Sequence, residues 1–225
     1  MKLLAIETST ETCSVALQVD DEVLQRYRHA PRQHAELLLP WVEELLAEAG
    51  IGFSSIDAIA FSRGPGSFTS LRIGIGVVQG LAWASGCPVV PVSSLAATAQ
   101  AAANSGVKTA LVALDARMKE VFTGLYHLND SGIMTLDGEE AVCAPELVPA
   151  VTEPGVYGVG VGFERYPALQ QQSVALTAVK TDIWPDAASV LKLAQAWLLS
   201  NKALPARLAQ PVYLRDNVAK KTIDR

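Results

Sequence analysis

The chain has 225 residues, of which half are hydrophobic and 18% are charged, and its formal net charge is −5. The length allows one large domain or two of about 100 residues each. A net negative charge argues against a protein that grips nucleic acid alone through a basic face. Three cysteines without a CxxC pair argue against a disulfide framework, and the apolar start is too short for a signal peptide, so we expect a cytoplasmic protein.

The first half of the chain predicts strands and helices in a regular order. Alternation and turn signals predict strands at 2–7, 12–19 and 22–28, a helix over 32–49, a strand at 56–61, a helix over 67–85, a short strand at 88–92 and an alanine-rich helix over 93–104.

The second half repeats this order at an offset of 108 residues. Leu3, Ala5 and Glu7 in "LLAIE" correspond to Leu111, Ala113 and Asp115 in "LVALD". Strands are predicted at 108–115, 120–128 and 132–141, then a short helix after Pro145, a strand in "GVYGVGVG" and a helix over 186–201. Similarity at a fixed offset indicates two copies of one unit. We predict an α/β protein of two similar β-β-β-α-β-α lobes, 1–106 and 107–225, with mixed sheets covered by helices.

A glycine-rich loop, "RGPGSFT", joins the strand at 56–61 to the helix over 67–85. A strand, a glycine turn and a helix N-terminus together favour an anion site, because the first backbone N–H groups of a helix are unpaired. The loop matches neither GxxxxGK[ST] nor GxGxxG. A tight turn whose helix is capped by Ser67 or Thr69 is an equally good interpretation. The candidate loop residues are Arg63, Gly64, Gly66, Ser67 and Thr69.

The two helices on either side of this loop are too apolar for surface helices. The apolar side chains of the helix over 32–49 cover an arc of roughly 200°, whereas a helix that faces one core needs about 100°. The helix over 67–85 has Gly76 and Gly80 on one face, where another helix can approach closely. We therefore predict an interface with another chain, formed by His34, Leu37, Leu38, Trp41, Leu45, Arg72, Ile73, Gly76, Val77 and Gly80. A thick core is the alternative interpretation of the same apolar helices.

The residues do not form a recognisable catalytic constellation. The three histidines, His29, His34 and His127, have no HxxxH or HExxH spacing, so no metal site is predicted. Glu7 and Asp115 end equivalent strands, where carboxylates can hold a metal-bound nucleotide between two lobes. Because the turns that follow them lack glycine, carboxylates satisfied by backbone N–H groups are the better interpretation.

Five motifs together resemble the TsaB family, also called YeaZ: "LLAIETST", "CSVAL", "SRGPGSFTSLRIGIGVVQGLA", "DARMKEVF" and "PVYLRDNVA". The resemblance spans the chain in register and implies the two-lobed actin-like (ASKHA) fold. It also implies an accessory role in forming threonylcarbamoyladenosine in tRNA. Its partner would be TsaD, the catalytic subunit that transfers the threonylcarbamoyl group.

The resemblance also implies that the chain has no catalytic residues of its own. Ser94 and Thr98 stand where TsaD-like sequences carry two metal-binding histidines, and neutral hydroxyls are poor ligands for a transition metal. The family implies pairing with TsaD, or self-association into a homodimer, through the two apolar helices. The ATPase TsaE joins the pair, with ATP or ADP in the complex and no cofactor bound by this chain alone. tRNA would be contacted only through the complex.

Two other functions stay open at this point. A stand-alone actin-fold ATPase or sugar kinase needs phosphate loops in both halves, and a peptidase needs a metal pair or a nucleophile elbow. The segment from Arg207 to Arg225 has five basic and two acidic residues, which we interpret as a solvated tail.

Overall fold

The computed structural model describes residues 1–172 and 175–215. The first half contains β1 (Lys2–Glu7), β2 (Thr12–Val19), β3 (Glu22–His29), α1 (His34–Glu48), β4 (Ala58–Gly64), α2 (Phe68–Ser85), β5 (Val89–Ser93) and α3 (Ser94–Ala103). The second half contains β6 (Thr109–Asp115), β7 (Val121–Leu128), β8 (Met134–Cys143), β9 (Val156–Val159), α4 (Gly162–Arg165), α5 (Ala168–Gln172), β10 (Ala178–Lys180) and α6 (Ala187–Leu198). No helix in the described part is long and apolar enough to cross a bilayer.

The strands form two five-stranded sheets with the same plan. The orders are β3-β2-β1-β4-β5 and β10-β9-β6-β7-β8. In each sheet the first three strands of the half pair antiparallel and the later ones add in parallel. The repeated segments form the central strands β1 and β6, so the predicted two-fold repeat and mixed sheets are confirmed.

Most predicted elements lie within three residues of the observed ones. Helix α1 begins two residues later than predicted, because Arg32 has a left-handed φ of 69° and cannot join a right-handed helix. The short elements α4, α5 and β10 were not predicted, since segments of three to five residues are too short to show a period. The basic segment beyond Arg215 lies outside the described residues.

Alternating side chains give the first sheet two different faces. Leu4 and Ile6 of β1 belong to the core under α1 and α2. Leu3 and Ala5 face the other way, into a core that α6 closes with Val190. Alanines from β1, β2 and β4 line this second face, which lets the helix lie close to the sheet.

Helices α3 and α6 are exchanged between the two halves. Helix α3, from the first half, packs on the second sheet through Leu95 and Ala99. Helix α6, from the second half, covers the first sheet. The remaining face of the second sheet is covered by Phe163 and Leu169 of α4 and α5. The predicted boundary at residue 106 therefore falls between the five strands of the first sheet and the five strands of the second. Each sheet nevertheless needs a helix from the other half of the chain to cover one of its faces.

Candidate functional site

The glycine-rich loop is packed against the turn that follows β1. The N–H of Ser67 donates to the carbonyl oxygen of Ser9 at 2.7 Å, and the hydroxyl of Thr8 donates to the carbonyl of Ser70 at 3.0 Å. A Cβ on Gly66 would lie 2.2 Å from the Ser9 oxygen, so only glycine fits. Ser67 is the N-cap of α2, and its hydroxyl accepts from the N–H of Ser70. The structure therefore shows the tight turn with a capped helix. The Ser67 N–H, which an anion at this helix start would need, already donates to Ser9.

The last described residues hold the other side of the same loop. We call residues 203–215 the C-terminal strap. Its Val212 N–H donates to the carbonyl of Arg63 at 2.8 Å, and Gln79 of α2 donates to the carbonyl of Ala209 at 2.7 Å. Gly64 has a φ of 100°, and a Cβ there would lie 3.0 Å from the Val212 oxygen. The loop therefore joins β4, α2 and the strap into one packed unit.

Glu7 is fully buried at the end of β1. Its Oε1 accepts from the N–H of Ser9 at 2.5 Å, whereas its Oε2 has no hydrogen-bond partner among the described residues. Burial raises the pKa of Glu7, and hydrogen bonds from Ser62 and Ser9 offset this only in part. A carboxyl that resists ionisation is a poor ligand for a metal-bound nucleotide.

Changing Glu7 to Gln is expected to remove a pH-dependent loss of stability. Because the native pKa lies above its ordinary value of 4.5, the native state favours the protonated acid. The stability that protonated Glu7 contributes to the native state is complete below pH 4.5 and is lost as pH rises through the native pKa. The free energy of unfolding of the wild type should therefore fall, relative to Glu7→Gln, between pH 4.5 and neutrality. Urea titrations across this range test it, with the exposed Glu43→Gln as the control; parallel profiles for Glu7→Gln and wild type would contradict it.

Asp115, the equivalent carboxylate of the second half, is bound by its own lobe. It accepts from the Tyr166 hydroxyl at 2.8 Å, from the Arg117 N–H at 2.9 Å and from the Arg165 guanidinium. Burial acts to raise the pKa of Asp115, but these hydrogen bonds outweigh it and hold the pKa below its ordinary value. The prediction of carboxylates satisfied by backbone N–H groups holds only in part. Asp115 accepts one backbone N–H and two side-chain donors, and Oε2 of Glu7 has no partner among the described residues.

An ion network joins the turn after β1 to the second half of the chain beside Asp115. Glu11, in the turn after β1, lies 3.2 Å from Arg165, 3.5 Å from Arg117 and 3.5 Å from His29. The two arginines belong to the second half of the chain and the other two side chains to the first. A phosphate group placed between Arg165 and Arg117 would have to displace the carboxylate of Glu11.

The positions implied to replace metal-binding histidines are buried and hydrogen-bonded. Ser94 lies 2.6 Å from the hydroxyl of Ser62, and Thr98 donates to the Ser94 carbonyl at 2.8 Å. Within residues 1–172 and 175–215, no three His, Cys, Asp or Glu side chains come together as a metal group.

The predicted interface needs correction along α1. Helix α1 packs on the first sheet beside α2. Four of its predicted interface side chains are buried in the core below it: His34, Leu38, Trp41 and Leu45. The ring of His34 is hydrogen-bonded to the Thr12 carbonyl at 3.0 Å, so it is a core histidine and not a surface one. Leu37 is half-buried against the same core. These four buried side chains therefore do not form a surface for a partner. Most of the apolar arc of α1 fills a thick core, while Leu39 remains 47% exposed.

Helix α2, in contrast, leaves one face open to solvent. Arg72, Gly76 and Gly80 are exposed, and no atom of this chain lies within 4 Å of a Cβ placed on either glycine. Ile73 and Val77 are half-buried beside them.

Trp83 lies on this face and was not predicted. It is 78% exposed, and it lies seven residues after Gly76, close to two helical turns. Counting positions along this face would have found it. We call Arg72, Gly76, Gly80 and Trp83 the glycine face.

Comparison with known proteins decides the family. A family model described as "TsaD: tRNA N6-adenosine threonylcarbamoyltransferase" matches residues 25–223. A protein of Escherichia coli K12 named "tRNA threonylcarbamoyladenosine biosynthesis protein TsaB" is 39% identical over 99% of this chain and 98% of its own length. The chain belongs to the TsaB (YeaZ) family. The TsaB protein of Haemophilus influenzae is 36% identical over 99% of this chain and 97% of its own length.

A solved TsaB-family structure has the same architecture. The structure described as YeaZ from Pseudomonas aeruginosa superposes with a TM-score of 0.88 at 45% identity, over 95% of this chain and 99% of that one. The predicted actin-like fold is thereby confirmed. Relatives named TsaB, matched together with a TsaD family model, fit a chain that is a paralogue of the transferase subunit.

Proposed function

We propose that this chain is a non-catalytic subunit for threonylcarbamoyladenosine formation next to the anticodon of tRNAs that read codons beginning with adenine. It binds and activates TsaD, together with TsaE, for transfer of the threonylcarbamoyl group from threonylcarbamoyl-AMP. The observation that carries the proposal is the near full-length similarity to proteins named for threonylcarbamoyladenosine biosynthesis in tRNA.

Contacts within the chain support an accessory role. The acid Glu7 is buried, the glycine-rich loop is packed on Ser9, and the carboxylate of Glu11 is paired with two arginines. Each of these groups would have to move before a nucleotide could bind in the way that a stand-alone ATPase requires. Fast ATP hydrolysis by the purified chain, lost on changing Glu7 or Asp115, would overturn the non-catalytic role.

The glycine face supports a partner surface. Two exposed glycines four residues apart allow the backbone of a second helix to approach α2 closely. Trp83 offers a large exposed ring, and tryptophan is enriched among the residues that dominate binding energy. The partner placed here is TsaD, with a second copy of this chain as the occupant when TsaD is absent.

Changing Gly76 to Asp is expected to abolish capture of TsaD while the chain stays folded. The new side chain enters open space within this chain, so the free energy of unfolding should stay within about 1 kcal/mol of the wild type. At a helix–helix contact the same side chain would hold the two backbones apart and its carboxylate would lose water. Copurification with TsaD and the threonylcarbamoyladenosine content of cellular tRNA measure the effect.

Leu199→Asp is the matched control, because Leu199 is equally exposed at the end of α6. It should leave capture and tRNA modification unchanged. Full capture and modification by Gly76→Asp would place the partner on another surface.

A further inference from the structure

The turn between β6 and β7 adopts a backbone conformation that its residues disfavour. Arg117, Met118 and Lys119 have φ values of 60°, 54° and 63°, all in the left-handed region. Residues other than glycine enter this region at a cost in free energy, and ordinarily one at a time. Three in succession form a short left-handed helical turn, closed by a 3.0 Å hydrogen bond from the Glu120 N–H to the Arg117 carbonyl.

Contacts on both sides hold this turn in place. On one side, Asp115 accepts from the Arg117 N–H, and Glu11 lies 3.5 Å from the Arg117 guanidinium. On the other side, Arg215 of the strap donates to the Ala116 carbonyl at 3.1 Å and to the carboxylate of Glu120. Strained backbone that the surrounding structure holds so firmly is characteristic of functional sites.

The turn presents an exposed thioether between two cations. Met118 is 61% exposed, and its sulfur lies 3.5 Å from the Arg215 guanidinium. The Arg117 side chain is 70% exposed, and the exposed Lys119 has no hydrogen bond or ion pair within the described residues. Within the part of the chain that the structure describes, ion pairs around the turn join three arginines, Arg117, Arg165 and Arg215, to three carboxylates, Glu11, Asp115 and Glu120. Lys119 adds one exposed cation, so these described charges have a small positive excess in a chain whose net charge is −5.

We infer that this left-handed turn is an RNA contact, in which Arg117 and Lys119 bind backbone phosphates and Met118 packs against a sugar or an unstacked base. The inference rests on the proposed function, which supplies tRNA as the RNA. Phosphates complement exposed cations, and such contacts position an RNA without reading its sequence. Lys119 has no ion pair within the described residues. Arg117 lies 3.5 Å from Glu11 and 3.4 Å from Asp115, and its side chain is still 70% exposed. The chain would then contribute to holding the tRNA that TsaD modifies.

The test is a titration of an unmodified tRNA transcript with the chain bound to TsaD, and with the chain alone, at two salt concentrations. Arg117→Ala and Lys119→Ala should each weaken binding about 5-fold, and each should lower the salt slope by about 1. Lys108→Ala is the matched control, because this exposed lysine precedes the same strand β6 at its opposite end. It should change neither affinity nor slope.

A second variant separates a functional role from a structural one. Met118→Gly relieves a disfavoured conformation, so its Tm should rise by about 3 °C, yet its tRNA affinity should fall. A raised Tm with unchanged affinity, or unchanged affinity in both alanine variants, would overturn the inference. Loss of TsaD capture by the alanine variants would also overturn it, since the turn would then be a protein contact. If the wild-type chain fails to capture TsaD, the proposed function fails. The titration of the chain alone then still decides the RNA contact. If tRNA binds neither to the chain alone nor to the chain mixed with TsaD, the inference is overturned.

Discussion

Leu38→Asp is expected to unfold the chain. Leu38 is fully buried between α1 and the first sheet. Removing a buried leucine costs about 2–5 kcal/mol, and an unpaired carboxylate in its place adds a large desolvation cost. The sum approaches or exceeds the whole stability of an ordinary domain, about 5–15 kcal/mol. Far-ultraviolet circular dichroism and the yield of soluble protein measure the effect.

The neighbouring Leu39→Asp is the control for this experiment. Leu39 is 47% exposed on the other side of α1, so its variant should fold with a free energy of unfolding within about 1 kcal/mol of the wild type. A folded Leu38→Asp variant that has lost only its partner would restore the interface first predicted along α1.

Gly66→Ala is expected to destabilise the chain by about 3 kcal/mol, since added atoms in a packed region force the backbone to shift. The new methyl group would lie 2.2 Å from the Ser9 oxygen and 2.8 Å from the Ser9 Cβ. Either the loop or the turn after β1 must therefore move, and the hydrogen bond from Ser67 to Ser9 must lengthen. Urea denaturation gives the change in the free energy of unfolding.

Gly76→Ala is the matched glycine control and should act in the opposite direction. Nothing lies within 4 Å of the new methyl group, and alanine favours a helix over glycine by about 1 kcal/mol. If Gly66→Ala were as stable as the wild type, the loop would be free of the turn, and an anion site at the start of α2 would again be open.

The sequence predicted the parts of the fold that local patterns encode. The match of Leu3 and Ala5 with Leu111 and Ala113 predicted two equivalent central strands, and β1 and β6 hold those places. The apolar run in 2–7 predicted the strand β1, and the structure buries it on both faces of the first sheet. Ser67 was correctly included among the possible caps of α2, because capping depends on residues within one turn.

The parts that were wrong or missed depend on contacts that are distant along the chain. The apolar arc of α1 was measured correctly, but the periodicity of one helix does not reveal what covers it. The core cluster that contains the buried side chains of α1 also contains Ala209 of the strap, more than 160 residues after Trp41. The ion network described above joins Glu11 to Arg165, 154 residues away. Neither contact leaves a local signal in the sequence.

The exchange of α3 and α6 has a consequence for the order in which the molecule is assembled during synthesis. All five strands of the first sheet have been made once Ser93 is added, but the helix that covers their alanine-lined face ends at Leu198. One apolar face of the first sheet therefore stays uncovered until more than 90 further residues have been synthesised. Closing it depends on contacts between distant segments, which form slowly and leave apolar surface exposed meanwhile. The two lobes therefore complete their packing together, late in synthesis, although the strands of the first lobe are synthesised early.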